Sequence, residues 1–147
     1  MEFPRKIVEA SIRGRLKPGA VVRCRVPFED GADAVKRLVV LSTCDETGTI
    51  CLTTTSNKFA QTRSFDSGAV YVPPNTEPSF DIPSYIQTHR IIELDIDFVI
   101  AKLDSGGFDF LADAISPELF KEVIAAVLSS KAIAGKYKNR IRSEFSE

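Results

Sequence analysis

The sequence predicts a mainly β, α+β fold: a small, strongly twisted antiparallel barrel with a C-terminal helix packed across it and a further helix added at the N-terminus. Three observations predict it. Over residues 20–28, Val22, Cys24, Val26 and Phe28 fall on one side and Arg23 and Arg25 on the other, the period of a strand with one face in a core and one in water. Residues 38–41 are apolar at every position, which suits a central strand covered on both faces. Ser116-Pro117-Glu118 supplies a capping hydroxyl, a proline in the first helical position and an acid in the first turn, the start of a helix.

The elements follow in order. Ile7, Val8, Ile12 and Leu16 lie at helical spacing with Arg and Lys between them, so an amphipathic helix is expected over 3–16, ended by Pro18-Gly19. After the first strand, residues 29–35 read as a polar loop holding Glu29, Asp30, Gly31 and Asp33, and the chain re-enters the sheet through Lys36 and Arg37. Residues 45–48, Asp-Glu-Thr-Gly, read as a hairpin turn joining strands 38–43 and 49–55. A polar stretch, 57–67, carries Phe59 and Phe65 as anchors, and 69–72 is a short strand stopped by Pro73-Pro74. After a proline-bounded loop over 75–83, a long strand is expected over 84–94, with Ile86, Ile92 and Leu94 on one side and Tyr85, Gln87, His89 and Glu93 on the other. Residues 98–103 read as the last strand, broken by Asp104-Ser-Gly-Gly107. In the C-terminal helix Leu119, Phe120, Val123, Ile124, Val127 and Leu128 form an apolar stripe that must lie on the sheet; the helix is expected to fray at 129–130 or run on loosely to Gly135, leaving 131–147 as a basic tail.

With 147 residues, 44% hydrophobic and 27% charged, the chain fits one domain over 1–147 with its core at about 19–130 and an N-terminal extension over 1–18. No apolar run approaches the ~20 residues that span a bilayer, and no apolar block follows the first residues, so a cytoplasmic protein without membrane contact is expected. Cys24, Cys44 and Cys51 are odd in number, lack ligand spacing and have one His in the chain for company; buried reduced thiols are expected, with no metal or other cofactor. Charge is near balance overall but unevenly placed: residues 1–25 carry seven Lys/Arg against two acids, residues 77–115 two against eight, and 131–142 five cations without an acid. Such a chain can present a cationic groove to phosphate and an acidic back, or its charges can simply be solvated or pair with one another.

A strand ending near Phe28, a Gly-containing polar loop, a basic entry into Leu38-Val-Val-Leu-Ser42, and an apolar strand closing on Thr55-Ser56 together resemble the MazF/PemK family of toxin endoribonucleases. The run Thr55-Ser-Asn-Lys-Phe-Ala-Gln-Thr-Arg-Ser-Phe65 is similar in order and spacing to the PemK-like version of that segment, and the likeness continues through 84–95 into the helix headed by Ser116. It spans about 19–130 with a gap at 66–83. The resemblance implies an SH3-like barrel, metal-independent cleavage of single-stranded RNA, a homodimer, and a cognate antitoxin protein that neutralises it. By position, the family's Arg-Pro pair falls on Lys36-Arg37, its Thr-Ser on Thr55-Ser56, and the polar residues of its later strand near Gln87 and His89, where an Arg and an Asp would stand in PemK-like proteins.

Cleavage of this kind needs a base for the ribose 2′-hydroxyl, an acid for the leaving oxygen and cations for the developing charge. Lys36, Arg37, Thr55 and His89 are the candidate catalytic residues, and Arg23, Arg25, Ser56, Lys58 and Gln87 the candidate RNA contacts. Lys36 offers a point charge where an arginine would grip phosphate with two parallel hydrogen bonds, and Arg37 can compensate. An unperturbed histidine has a pKa suited to proton transfer near neutrality, which makes His89 a candidate base or acid, although a lone strand histidine can equally be structural. Phe59 and Phe65 can stack bases or pack in a core, and Glu29, Asp30 and Asp33 can act as acid–base groups or merely solubilise a loop. The alternative function is a catalytically degenerate barrel of the same fold that binds RNA or protein without cleavage. A gyrase-poisoning toxin of related fold ranks last, because its C-terminal tryptophan has no counterpart in a chain without Trp.

Overall fold

The computed structural model describes residues 4–27, 33–45, 47–55 and 69–145. In chain order these form α1 (Arg5–Arg15), β1 (Val21–Pro27), β2 (Asp33–Val40), β3 (Gly48–Thr55), β4 (Ala69–Val72), β5 (Ser84–Asp95), α2 (Ile96–Asp104), β6 (Phe108–Ala112), α3 (Pro117–Ser129) and α4 (Gly135–Phe145). The fold is α+β. The strands make one antiparallel sheet in the order β4-β5-β3-β2-β1-β6.

Among the described residues this sheet is open, with β4 and β6 at its edges, and does not close into the expected barrel. The reason lies in the two faces. Val22, Cys24, Leu38, Val40, Cys51, Ile92 and Leu94 pack on one side with Ile12 of α1 and Ile96 and Val99 of α2. Val21, Val39, Ile50, Leu52, Val70 and Ile86 pack on the other with Leu119, Val123 and Val127 of α3 and Ile141 of α4. A barrel has a single interior; a sheet buried on both faces between helical layers needs apolar residues of both parities. The unbroken apolar run at 38–41 is that signature, since all four residues are fully buried.

β2 and β3 form the expected antiparallel hairpin. The Asp45 carboxylate accepts hydrogen bonds from Thr47 N (2.9 Å), Thr47 Oγ1 (2.8 Å) and Gly48 N (3.0 Å), which holds its pKa below the ordinary carboxylate value. Ser116 caps α3, its Oγ accepting from Leu119 N at 3.3 Å, while both Glu77 carboxylate oxygens accept from Ser116, one from its N–H and one from its Oγ, each at 2.7 Å.

Four expectations need correction. Residues 98–103, expected as a strand, belong to helix α2: Asp95 caps Phe98 N, and Ile96, Val99, Ile100 and Leu103 recur at helical spacing on the core side. The sixth strand, β6, lies after the Gly106-Gly107 break instead. The expected loop over 29–35 is shorter, since β2 already begins at Asp33 and pairs with β1 from Pro27↔Asp33 onward. Ile86 does not share a side with Ile92 and Leu94. Between Leu52↔Ile91 and Thr54↔Ile86 the register shifts, β5 advancing five residues against two on β3, and the parity of the strand inverts. The expected basic tail is in large part a helix, α4, with Ile141 fully buried.

Candidate functional site

β2 and β3 pair only over Leu38↔Thr53 to Val40↔Cys51. Beyond that point β2 stays with β1, through Arg23↔Arg37 and Cys24↔Lys36, while β3 stays with β5, through Thr54↔Ile86 and Thr55↔Tyr85. The two central strands therefore part at one end, and a side-chain link, Thr54 Oγ1 donating to the Arg37 carbonyl at 3.2 Å, stands where the ladder would have continued. A pocket of about 220 Å³ opens in the gap, lined by Arg23, Lys36, Arg37, Thr54, Thr55 and Ser84 with Val35 and Ile82. Val35 and Ile82 are 53% and 47% exposed, so two of the few exposed large apolar side chains among the described residues meet at this cationic pocket.

Three of the four candidate catalytic residues thus converge: Lys36 and Arg37 at the end of β2 face Thr55 at the end of β3 across one pocket. The fourth, His89, has its backbone in β5 within the shifted-register stretch, and its side chain lies outside the described residues. Gln87 accepts a hydrogen bond from Thr53 Oγ1 at 2.8 Å. Arg25 is exposed on β1 opposite Val35. Ser56, Lys58, Phe59 and Phe65, and the loop acids Glu29 and Asp30, lie outside the described residues, as does the side chain of Asp33.

The charges divide more sharply than composition suggested. Arg23 donates to Asp109 Oδ2 from Nη2 (2.7 Å) and Nε (3.2 Å), Arg5 pairs with Glu9 and Asp97, and Arg140 donates to the Thr43 and Gly48 carbonyls at 3.1 and 3.0 Å beside Asp45. Cations of the basic N-terminal segment therefore pair with the acidic 77–115 segment, and α4 uses its arginine to bind the 45–48 turn at the far end of the strands from the pocket. Exposed pairs of this kind contribute little to stability, ~0–1 kcal/mol each, but they remove those cations from any continuous groove.

Arg37 is different. Its Nε is buried with no hydrogen-bond partner, and among the described residues no carboxylate forms an ion pair with it. It also stands directly opposite Arg23 in the β1–β2 register, a like-charge placement that a sheet disfavours. A buried donor left unmade is costly and calls for a reason.

The same arginine walls a second pocket of about 310 Å³ on the other side of the 73–83 loop, with Asn75, Glu77, Ser79, Phe80, Asp81 and Leu111. Sequence reasoning passed over this loop because its prolines and polar residues marked only irregular structure. In the fold it is fixed by the fully buried Phe80, the Asn75 N–H to Phe80 carbonyl hydrogen bond (2.8 Å) and Ser79 Oγ donating to the Leu111 carbonyl (3.1 Å). Asn75 and Ser79 hold left-handed backbone, φ 63° and 72°.

The cysteines offer no nucleophile. All three are free and buried; burial raises the Cys24 thiol to about 11 and pushes those of Cys44 and Cys51 up as well, so each stays protonated near neutrality. No helix among the described residues is long and apolar enough to cross a membrane. The chain matches no protein-family model, no curated protein and no solved structure.

Proposed function

We propose that the protein binds single-stranded RNA with a phosphodiester seated between the parted ends of β2 and β3, and cleaves it there through the ribose 2′-hydroxyl. The observation that carries this reading is the convergence of Lys36, Arg37 and Thr55 on one pocket. Lys36 and Arg37 are placed to stabilise charge that develops on the non-bridging oxygens, and the exposed Val35 and Ile82 give the sugar and base an apolar rim. In the reaction the 2′-oxygen bonds to phosphorus and the bond to the 5′-oxygen breaks. The 2′ proton passes to a base, for which His89 is the candidate because an imidazole suits proton transfer near neutrality, and the 5′-oxygen leaves protonated, giving a 2′,3′-cyclic phosphate and a 5′-hydroxyl. A homodimer and a neutralising antitoxin belong to the same proposal and rest on the resemblance alone.

One observation favours a second reading, RNA binding without cleavage. Among the described residues lining the pocket, none is a carboxylate or a histidine, so the groups described there bind phosphate but do not move protons. Incubating the purified protein with a long RNA in EDTA separates the two. Cleavage predicts discrete fragments with cyclic phosphate ends, lost in Lys36→Ala, Arg37→Ala and Thr55→Ala. Binding alone predicts a mobility shift that weakens in the same variants without fragments. Neither shift nor fragments would remove RNA from consideration.

A further inference from the structure

The two pockets that share Arg37 have opposite electrostatic character. The β2–β3 pocket gathers Lys36 and Arg37, with Arg23 paired to Asp109 and no acid among its described lining residues, whereas the second pocket sets Glu77 and Asp81 against Arg37 alone. An anion is therefore drawn to the first and repelled from the second, which instead suits a group that presents hydrogen-bond donors. We propose that the second pocket is a base-recognition subsite that takes the guanine of a nucleotide whose phosphate lies on the β2–β3 side of Arg37; this rests on the phosphodiester reading above.

The donor–acceptor inventory selects the base. Both Glu77 oxygens are engaged by Ser116, while Asp81 is exposed and makes no hydrogen bond or ion pair among the described residues. A carboxylate accepts two adjacent N–H groups side by side. Of the four RNA bases only guanine offers that pair, N1–H and N2–H, on one edge; adenine and cytosine set a ring acceptor beside their amino group, and uracil flanks a single N–H with two carbonyls. Next to those donors guanine carries O6, an acceptor, and the pocket is lined by two side chains that carry donors for it, the Arg37 guanidinium and the Asn75 amide. Phe80 and Leu111 complete an apolar wall for the ring. The volume, about 310 Å³, is of the size that holds one small ligand. The wall is also preformed. Glu77 ties the loop to the start of α3, Phe80 roots it in the core, and two residues are held in left-handed backbone, a strain that structures keep where a site requires it. Single-stranded RNA, whose bases are free of pairing, can present this edge.

The test is competition against a fluorescein-labelled single-stranded oligoribonucleotide on the full chain, with inorganic phosphate, ribose 5-phosphate and the four ribonucleoside 5′-monophosphates as competitors. Guanosine monophosphate is expected to compete about tenfold better than the other three, in line with one bidentate contact. In Asp81→Asn that advantage should fall below about twofold while competition by phosphate and ribose 5-phosphate is unchanged. Asp81 is exposed and unpartnered, so this variant should fold as the parent does. Equal competition by all four nucleotides, or a guanine preference that survives Asp81→Asn, overturns the subsite; if phosphate and ribose 5-phosphate still compete, the phosphodiester pocket stands. Absence of oligonucleotide binding overturns both.

Discussion

Arg37→Met should make the protein more stable and a poorer RNA ligand at the same time. Methionine keeps the unbranched stem and removes the guanidinium, and with it the buried Nε that has no partner and the positive charge facing Arg23 across β1 and β2. Leaving a buried donor unmade costs ~1–3 kcal/mol, and like charges opposed across a sheet up to ~1 kcal/mol more. Against this stand lost guanidinium packing and a screened, longer-range attraction to Glu77 and Asp81 in the same pocket. The balance is a gain of ~1 kcal/mol, or about 2–4 °C in Tm for a chain of this size. Because the protein has no Trp, unfolding in urea is best followed by far-UV circular dichroism. On the binding side, each cation that neutralises a phosphate of a single strand contributes about −0.7 to the slope of log K against log salt. Fluorescence anisotropy with a labelled oligoribonucleotide at several salt concentrations should show that slope shrinking by about 0.7 in the variant. A variant less stable than the parent by more than ~1 kcal/mol would mean that Arg37 is structural. An unchanged salt slope would mean that it touches no phosphate.

Three further outcomes follow from particular contacts. Gly48→Ala should destabilise the fold by roughly 3 kcal/mol or more, since a Cβ there would sit 1.9 Å from the Leu94 carbonyl oxygen at φ 147°; urea titration reads this, and a mild effect would refute the β3–β5 register. Arg140→Met should cost about 1 kcal/mol and speed amide exchange in α4, because it cuts the links to Thr43, Gly48 and Asp45, yet leave RNA affinity unchanged; reduced affinity would restore the basic tail as an RNA contact. Alkaline stability should depend on Cys24. Below pH 9.0 its thiol is protonated in both states, whereas between 9.0 and about 11 only the unfolded chain ionises, so stability falls as pH rises across that interval, by at most ~3 kcal/mol. Cys24→Ala should show a smaller decline, since Cys44 and Cys51, also raised by burial, keep their own share, and parallel pH profiles for variant and parent would show the Cys24 thiol to be less shielded than its burial indicates.

The elements readable in the sequence were those whose signal is local. The Arg23/Arg25 alternation, the Asp45 turn, the strand 69–72 before two prolines and the Ser116 cap each rest on neighbours within a few residues, and each appears in the fold. Where the deciding interaction is remote, the sequence misled. Residues 98–103 form an apolar run that satisfies a strand as well as a helix, and the outcome turns on the Asp95 cap and on packing against α1. The inversion within β5 has no local mark, since Gln87 to Arg90 are ordinary strand residues; it is fixed by which residues of β3 they meet. Barrel and layered sheet differ in whether both parities of a strand are covered. At 38–41 the continuous apolar run marks both parities as covered, which is the sign of the layered sheet and not of the barrel that the family resemblance implies. For the site, the meeting of Lys36, Arg37 and Thr55 was legible because strand ends adjoin in any antiparallel pairing. The 73–83 loop was not, because a pocket wall made by irregular backbone has no period.

The position of the pocket follows from the same layering. Through the middle of the sheet both faces are lined by apolar clusters that include helix residues, and polar groups there are few: Ser42 and Thr49 satisfy each other at 2.9 Å, and the cysteines are buried. Charged residues on β1 and β2 can occur only toward the end where that cover runs out, and they do, at Arg23, Arg25, Lys36 and Arg37. At that end the β2–β3 ladder stops at Leu38↔Thr53, and Lys36, Arg37, Thr54 and Thr55 line the cleft between the parted strands. A sheet buried on two faces concentrates its binding chemistry where its strands separate. Substitutions in the α3 stripe should therefore lower stability without changing RNA selectivity, whereas substitutions of Lys36, Thr55 or the exposed Asp81 should change binding with little effect on stability.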